Sequence, residues 1–196
     1  MMNIEHDADK ILRDLISKAE VAAKHSMDKT GSFPPTIFIH GIEGHVAYSP
    51  PVKFLNASYD DLALIAGECS VAYGAIAVVV AGEGYKVRTP IQRDNRVPDP
   101  AQSTPEDREE VVAIIGETRY EKVKKIRPII RTEAGNFLGL GEGINVDNPG
   151  AFSNYADMLS KDFPDREARE CVMAALYKEG HRIKEEKARW LQFVIK

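Results

Sequence analysis

Ala75-Ile-Ala-Val-Val-Val80 and Val111-Val-Ala-Ile-Ile115 are the two stretches on which the fold turns. Neither alternates apolar with polar residues, so each is predicted as a strand covered on both faces and central in a sheet. Upstream, Thr36 to His40 and His45 to Tyr48 read as the arms of a hairpin. The glycines of Gly41-Ile-Glu-Gly44 supply its turn, because glycine reaches positive φ without steric cost. Downstream, Lys122 to Thr132 is a polar, basic strand in which Pro128 suggests a sheet edge. A turn at Glu133-Ala-Gly-Asn136 leads to a short strand, Phe137 to Leu140. Consecutive strands joined by short turns make an antiparallel meander.

Two helices precede or interrupt these strands. Asp9 to Lys24 carries Ile11, Leu12, Leu15, Ile16, Ala19, Ala22 and Ala23 at spacings of three and four, one amphipathic stripe that Gly31 and Pro34-Pro35 terminate. A second helix is predicted from Ser58, which caps it, with Asp60 and Asp61 favouring the positive end of the dipole. Its buried face is Leu62, Ile65, Ala66, Cys69 and Ala72, and Gly74 stops it. The expected class is therefore α+β, with a mostly antiparallel sheet of five to six strands and packed helices. Residues 1–140 form the sheet domain in this reading and 141–150 a turn-rich linker. Residues 151–196 form a helical segment, with one short helix bearing Phe152, Tyr155, Leu159 and Phe163 and a longer one starting near Asp162 to Asp165 that Gly180 kinks or splits.

Composition narrows the function classes. A net charge of −4 argues against a chain that binds nucleic acid over its whole surface. The polar, acidic start is no secretory signal, and the run from Ala75 to Ala81 is too short to cross a bilayer, which needs about 20 residues. Two cysteines, Cys69 and Cys171, make no disulfide framework, and both are expected as buried, inert thiols of a cytoplasmic protein.

Pro105-Glu-Asp-Arg-Glu-Glu-Val-Val112, following a helix, hairpin, helix, apolar strand and proline-bearing loop, resembles a group of small bacterial and phage proteins. In that group a Pro-x-Asp-Arg-x-Glu signature leads into a buried strand. The resemblance spans residues 8 to 140 and implies no activity, since none is attached to the group.

The residues that could do chemistry are few. His40 and His45 face each other across the hairpin and, with Glu43, could hold a divalent ion. Only three ligands stand there in no fixed metal spacing, so a polar hairpin tip is the plainer reading, and neither metal nor cofactor is expected. Gly82 and Gly84, and Gly139, Gly141 and Gly143, match no phosphate-loop spacing and are read as turn glycines. Arg119, Lys122, Lys124, Lys125, Arg127 and Arg131 could meet phosphates, although lysines also keep an edge strand from aggregating. Asp94, Asn95 and Arg96 lie in the proline-rich stretch Thr89 to Glu109, where a long connection suits ligand contact. Asp107 to Glu110 is explained by a salt-bridged strand entry.

Leu176, Ile183, Trp190 and Val194 form an apolar seam on the last helix and are the expected interface for a protein partner or a second copy. No segment names a reaction. The leading expectation is a non-catalytic interaction or regulatory protein. Its alternatives are a small metal-dependent hydrolase built on His40, Glu43 and His45, and a nucleic-acid-binding module using the strand from Arg119 to Arg131.

Overall fold

A computed structural model describes residues 4–42, 44–50, 59–87, 108–146, 157–181 and 183. Its elements in chain order are α1 (Ile4–Thr30), β1 (Thr36–Gly41), β2 (Gly44–Tyr48), α2 (Tyr59–Tyr73), β3 (Ala75–Val87), β4 (Arg108–Thr118), β5 (Lys122–Arg131), β6 (Phe137–Leu140), β7 (Ile144–Asn145) and α3 (Arg166–Glu179). The strands form one antiparallel sheet in the order β2-β1-β3-β4-β5-β6, with β7 also pairing β5. The fold is thus α+β with an antiparallel sheet, as the two apolar runs indicated.

Strand periodicity divides the core into two layers. Ile37, Ile39, Val78, Val80 and Ile115 pack with Leu62, Ile65, Ala66 and Cys69 of α2 and with Leu176 of α3. Phe38, Val79, Val112 and Ile114, which point to the opposite face, pack with Leu12, Leu15, Ala19 and Met27 of α1. Neighbouring residues of one strand therefore serve different helices, so the central parts of β3 and β4, Ala75 to Ala81 and Val111 to Ile115, are apolar throughout. Gly41 marks a close approach within this frame. A Cβ there would overlap the Tyr73 carbonyl oxygen, so the end of α2 can lie directly on the hairpin.

Several expectations are corrected. Gly82 and Gly84 are not turn glycines, because β3 runs through them to Val87 and pairs with β4 along its length. The basic strand is not at an edge, since β5 lies between β4 on one side and β6 and β7 on the other. Pro128 is accommodated there by a gap in the pairing. Its carbonyl accepts from Gly141 N at 2.7 Å, between the β6 pairs that end at Leu140 and the β7 pairs that begin at Ile144. The missing N–H points to the same side, where the chain crosses from one short strand to the next.

The span 141–150 is not simply a linker, because Ile144–Asn145 belongs to the sheet. Residues 157–165 contain no helix, and Phe163 is exposed there while Leu159 is buried. Phe152 and Tyr155 lie outside the described residues, as does Ser58. Gly180 ends α3 in the left-handed region at φ 101°, and Ile183, three residues further on, is again helical. The N–H of Gly180 bonds to Tyr177 O and that of His181 to Leu176 O, the paired return bonds of a Schellman cap. Among the described residues, no helix is long and apolar enough to cross a membrane.

Candidate functional site

The hairpin carries the most chemically capable cluster. β1 and β2 pair with His40 directly opposite His45, which puts both rings on the face covered by α1. His40 Nδ1 lies 3.2 Å from His45 Nδ1 and 3.3 Å from its Nε2, with the ring planes at 71°. α1 adds a cation: Lys18 Nζ is 3.1 Å from His45 Nε2 and 2.7 Å from Asp14 Oδ2, one turn earlier on the helix. An ammonium can only donate, so its contact selects the His45 tautomer that accepts at Nε2 and carries its proton on Nδ1. The roles between the two rings depend on their tautomers, since His40 Nδ1 is almost equally far from both His45 nitrogens. Burial, then the charge of Lys18, lowers the pKa of both imidazoles against a smaller opposing pull from Asp14, and His40 itself further lowers His45. Both shifts favour the neutral form of the rings. Glu43 lies outside the described residues. Among those residues, no group of three or more His, Cys, Asp or Glu side chains is arranged to hold a metal ion.

The basic residues do not form one patch. Lys125, Arg127 and Arg131 sit at strand positions facing α1, whereas Lys122 and Lys124 face the other side. Each face then supplies its own acids. Lys125 and Arg127 both reach Glu20 of α1, at 2.7 and 3.3 Å. Arg131 pairs with Glu110 and, at 3.9 Å, with Glu83, whose other oxygen accepts from Phe33 N. Lys122 bridges Glu117 and Asp157, and burial followed by the charge of Lys122 lowers the pKa of Lys124. Arg119 is in the β4–β5 turn, donating to Ala75 O at 3.0 Å with its guanidinium 3.7 Å from the centre of the Phe163 ring.

Two clefts open on the side of the sheet that α2 covers. One, of about 570 Å³, lies beside the β4–β5 turn and is lined by three acids (Glu117, Glu121, Asp157) and three bases (Arg119, Lys122, Lys161), so it favours neither charge. Its wall is held by Glu117, a buried carboxylate that accepts from Met158 N at 3.0 Å and Leu159 N at 3.4 Å. The other, of about 670 Å³, lies between the ends of α2 and α3 and holds Arg166 and Arg169, the former paired with Glu170 at 2.7 Å.

The expected interface seam is described only at its first two residues. Leu176 and Ile183 are each 1% exposed and belong to the core beneath α2 and α3. Trp190 and Val194 lie outside the described residues, as do Asp94, Asn95, Arg96 and Asp107. Cys69 is buried, and that burial followed by Glu68 raises its thiol pKa well above the ordinary range. Cys171 is exposed, contrary to expectation.

The sequence reading missed Lys18, Asp14, Glu20, Glu117 and the buried Tyr48–His181 pair. Glu117 alone had a visible signal, as a carboxylate two residues beyond an otherwise apolar strand run. No protein-family model matches the chain, and neither a curated protein nor a solved structure does.

Proposed function

We propose that this chain is a non-catalytic interaction protein that docks a partner by strand addition at β6, the partner being a second copy of itself. One observation carries the reading: the edge strand Phe137-Leu-Gly-Leu140 has no charged residue or proline, and Leu138 on it is 63% exposed. Ile130, 46% exposed, lies on the neighbouring strand opposite Gly139, beside the register shift at Leu138. Exposed edges are ordinarily blunted with lysine, proline or a covering element. Among the described residues no strand pairs with the outer side of β6, and such an apolar edge is a template for main-chain pairing, with Leu138 and Ile130 as exposed side chains beside it. Two copies related by a two-fold axis would pair β6 with β6 antiparallel, closing both edges at once. The divided, internally paired basic residues support this reading over a nucleic-acid module.

Sedimentation velocity of the full chain tests it. A dimer is expected at concentrations of about tens of micromolar, where a typical specific interface is populated, and Leu138→Lys should sediment as a monomer. A wild-type chain that stays monomeric, or a Leu138→Lys variant that dimerises equally well, would overturn it.

A further inference from the structure

The β1–β2 hairpin lies at the opposite end of the sheet from β6, and its histidine pair has a use that strand addition does not explain. We propose that His40 and His45 form a two-imidazole site for a divalent first-row transition ion such as Cu²⁺, Ni²⁺ or Zn²⁺.

The geometry fits at three points. Two imidazole nitrogens bound to one ion, each at about 2.0–2.1 Å and near the tetrahedral angle, stand roughly 3.3 Å apart. His40 Nδ1 and His45 Nε2 stand 3.3 Å apart before any ion arrives. One pair of tautomers suits an ion. With the His40 proton on Nε2 and the His45 proton on Nδ1, which lets His45 Nε2 accept from Lys18, both nitrogens that would ligate carry a lone pair and no proton need be released. Finally, the two Cα positions are fixed by direct pairing in the ladder, so binding orders only side-chain rotation and not a loop. His45 is exposed and His40 half-buried, which leaves the ion's remaining positions to water.

Lys18 is the built-in competitor. Its ammonium occupies the direction of the His45 Nε2 lone pair and must swing away when a cation takes that seat. Asp14, 2.7 Å from Nζ, offers the displaced lysine a partner. Imidazole pairs follow the Irving–Williams order and ignore hard ions, so Cu²⁺ should bind tighter than Ni²⁺ or Zn²⁺, and Mg²⁺ and Ca²⁺ should not bind.

The test is calorimetric titration of untagged full-length protein with each metal chloride in a non-coordinating buffer, with Cu²⁺ paramagnetic resonance to count nitrogen ligands. One ion per chain is expected, with a two-nitrogen signature. His40→Ala and His45→Ala should each weaken binding about tenfold or more, while His25→Ala should leave it unchanged. Lys18→Met should tighten binding, an effect that loss of folding could not imitate. Binding that survives both histidine replacements, a one-nitrogen signature, or a Lys18→Met variant that binds more weakly would overturn the proposal, as would the absence of stoichiometric binding.

Discussion

The Tyr48 hydroxyl lies 2.6 Å from His181 Nδ1, joining the outermost strand of the sheet to the residue just past the cap of α3. His181 is fully buried, and it reaches this position because Gly180 turns the chain in the left-handed region and the His181 N–H closes the cap on Leu176 O. Cap and hydrogen bond thus form one device that holds α3 to the sheet. Tyr48→Phe removes one partner and leaves a polar ring atom in the core, which should cost about 1–3 kcal/mol in denaturant unfolding. Gly180→Ala forces a Cβ into the same conformation and should cost about 1 kcal/mol or more. A Tyr48→Phe chain as stable as the wild type would show that this bond does not hold α3.

Gly41→Ala should be among the most damaging single-methyl additions in the protein. The added carbon meets backbone, the Tyr73 carbonyl at the end of α2, and backbone cannot rotate aside as a side chain can. About 1–3 kcal/mol is expected, with a loss of the Ile42 N–H bond to Tyr73 O as the hairpin and helix separate. At Gly116 the obstruction is instead the tip of Leu12, 2.7 Å from an added Cβ, and Gly116→Ala should be milder because that tip can move. Thermal denaturation of both variants compares them, and equal losses would contradict this ranking.

These glycines illustrate what sequence can and cannot carry. The strands around Val79 and Ile114 were legible because both faces are covered, so every position is apolar and the pattern survives without knowing which helix lies where. The facing of His40 and His45 was legible because two glycines bracket a short connection and fix the register. Pro128 misled because the rule confining proline to edges cannot foresee a gap between two short partner strands. The two-residue β7 has no period to detect. The seam at Leu176 and Ile183 announced a buried face without naming what buries it, and its own core does so. Lys18, on an amphipathic helix, gave no signal because nothing local shows which strand its polar flank overhangs.

Acidification should destabilise the protein through the histidine pair. Both imidazoles have pKa values lowered in the folded state, from an ordinary value of 6.5, by burial and by Lys18. Above the ordinary value neither folded nor unfolded chain is protonated at these rings, and their contribution is fully present. As pH falls below it the unfolded chain takes up protons first, so stability is lost down to the lowered folded values and then levels off. Glu68 acts oppositely, since burial followed by Glu179 raises its pKa and protonation there favours the folded state. The difference between wild type and His45→Gln isolates the histidine effect, and the wild type should show the steeper fall in melting temperature below pH 6.5. Parallel profiles would refute the linkage.

Glu117 should matter for order more than for chemistry. Its two oxygens accept from Met158 N and Leu159 N, which brings those apolar side chains under the end of β4. Glu117→Gln keeps the shape but turns one acceptor into a donor facing a backbone N–H, a mismatch worth about 1–3 kcal/mol. Amide exchange at Met158 and Leu159 should accelerate before any global loss of structure. Unchanged protection at both amides would mean that packing alone holds the segment.

The basic strand gives the final prediction. Lys125 and Arg127 converge on Glu20 from a half-covered position between β5 and α1, with all three side chains about one quarter exposed or less. If these charges exist to fasten α1 to the sheet, removing the acid should hurt more than removing either base. Glu20→Gln leaves two cations facing each other without a counter-charge, whereas Lys125→Ala leaves the Arg127–Glu20 pair in place. Partial screening keeps the magnitude modest, about 1 kcal/mol for the acid and less for the lysine. The loss should shrink as salt rises, because the residual repulsion is screened. If the residues instead serve phosphate binding, Glu20→Gln would free two cations and raise affinity for duplex DNA, with a steeper salt dependence than the wild type. Chemical denaturation and a DNA titration on the same variant separate the two, and a gain in DNA affinity without a loss of stability would reverse the assignment of these residues.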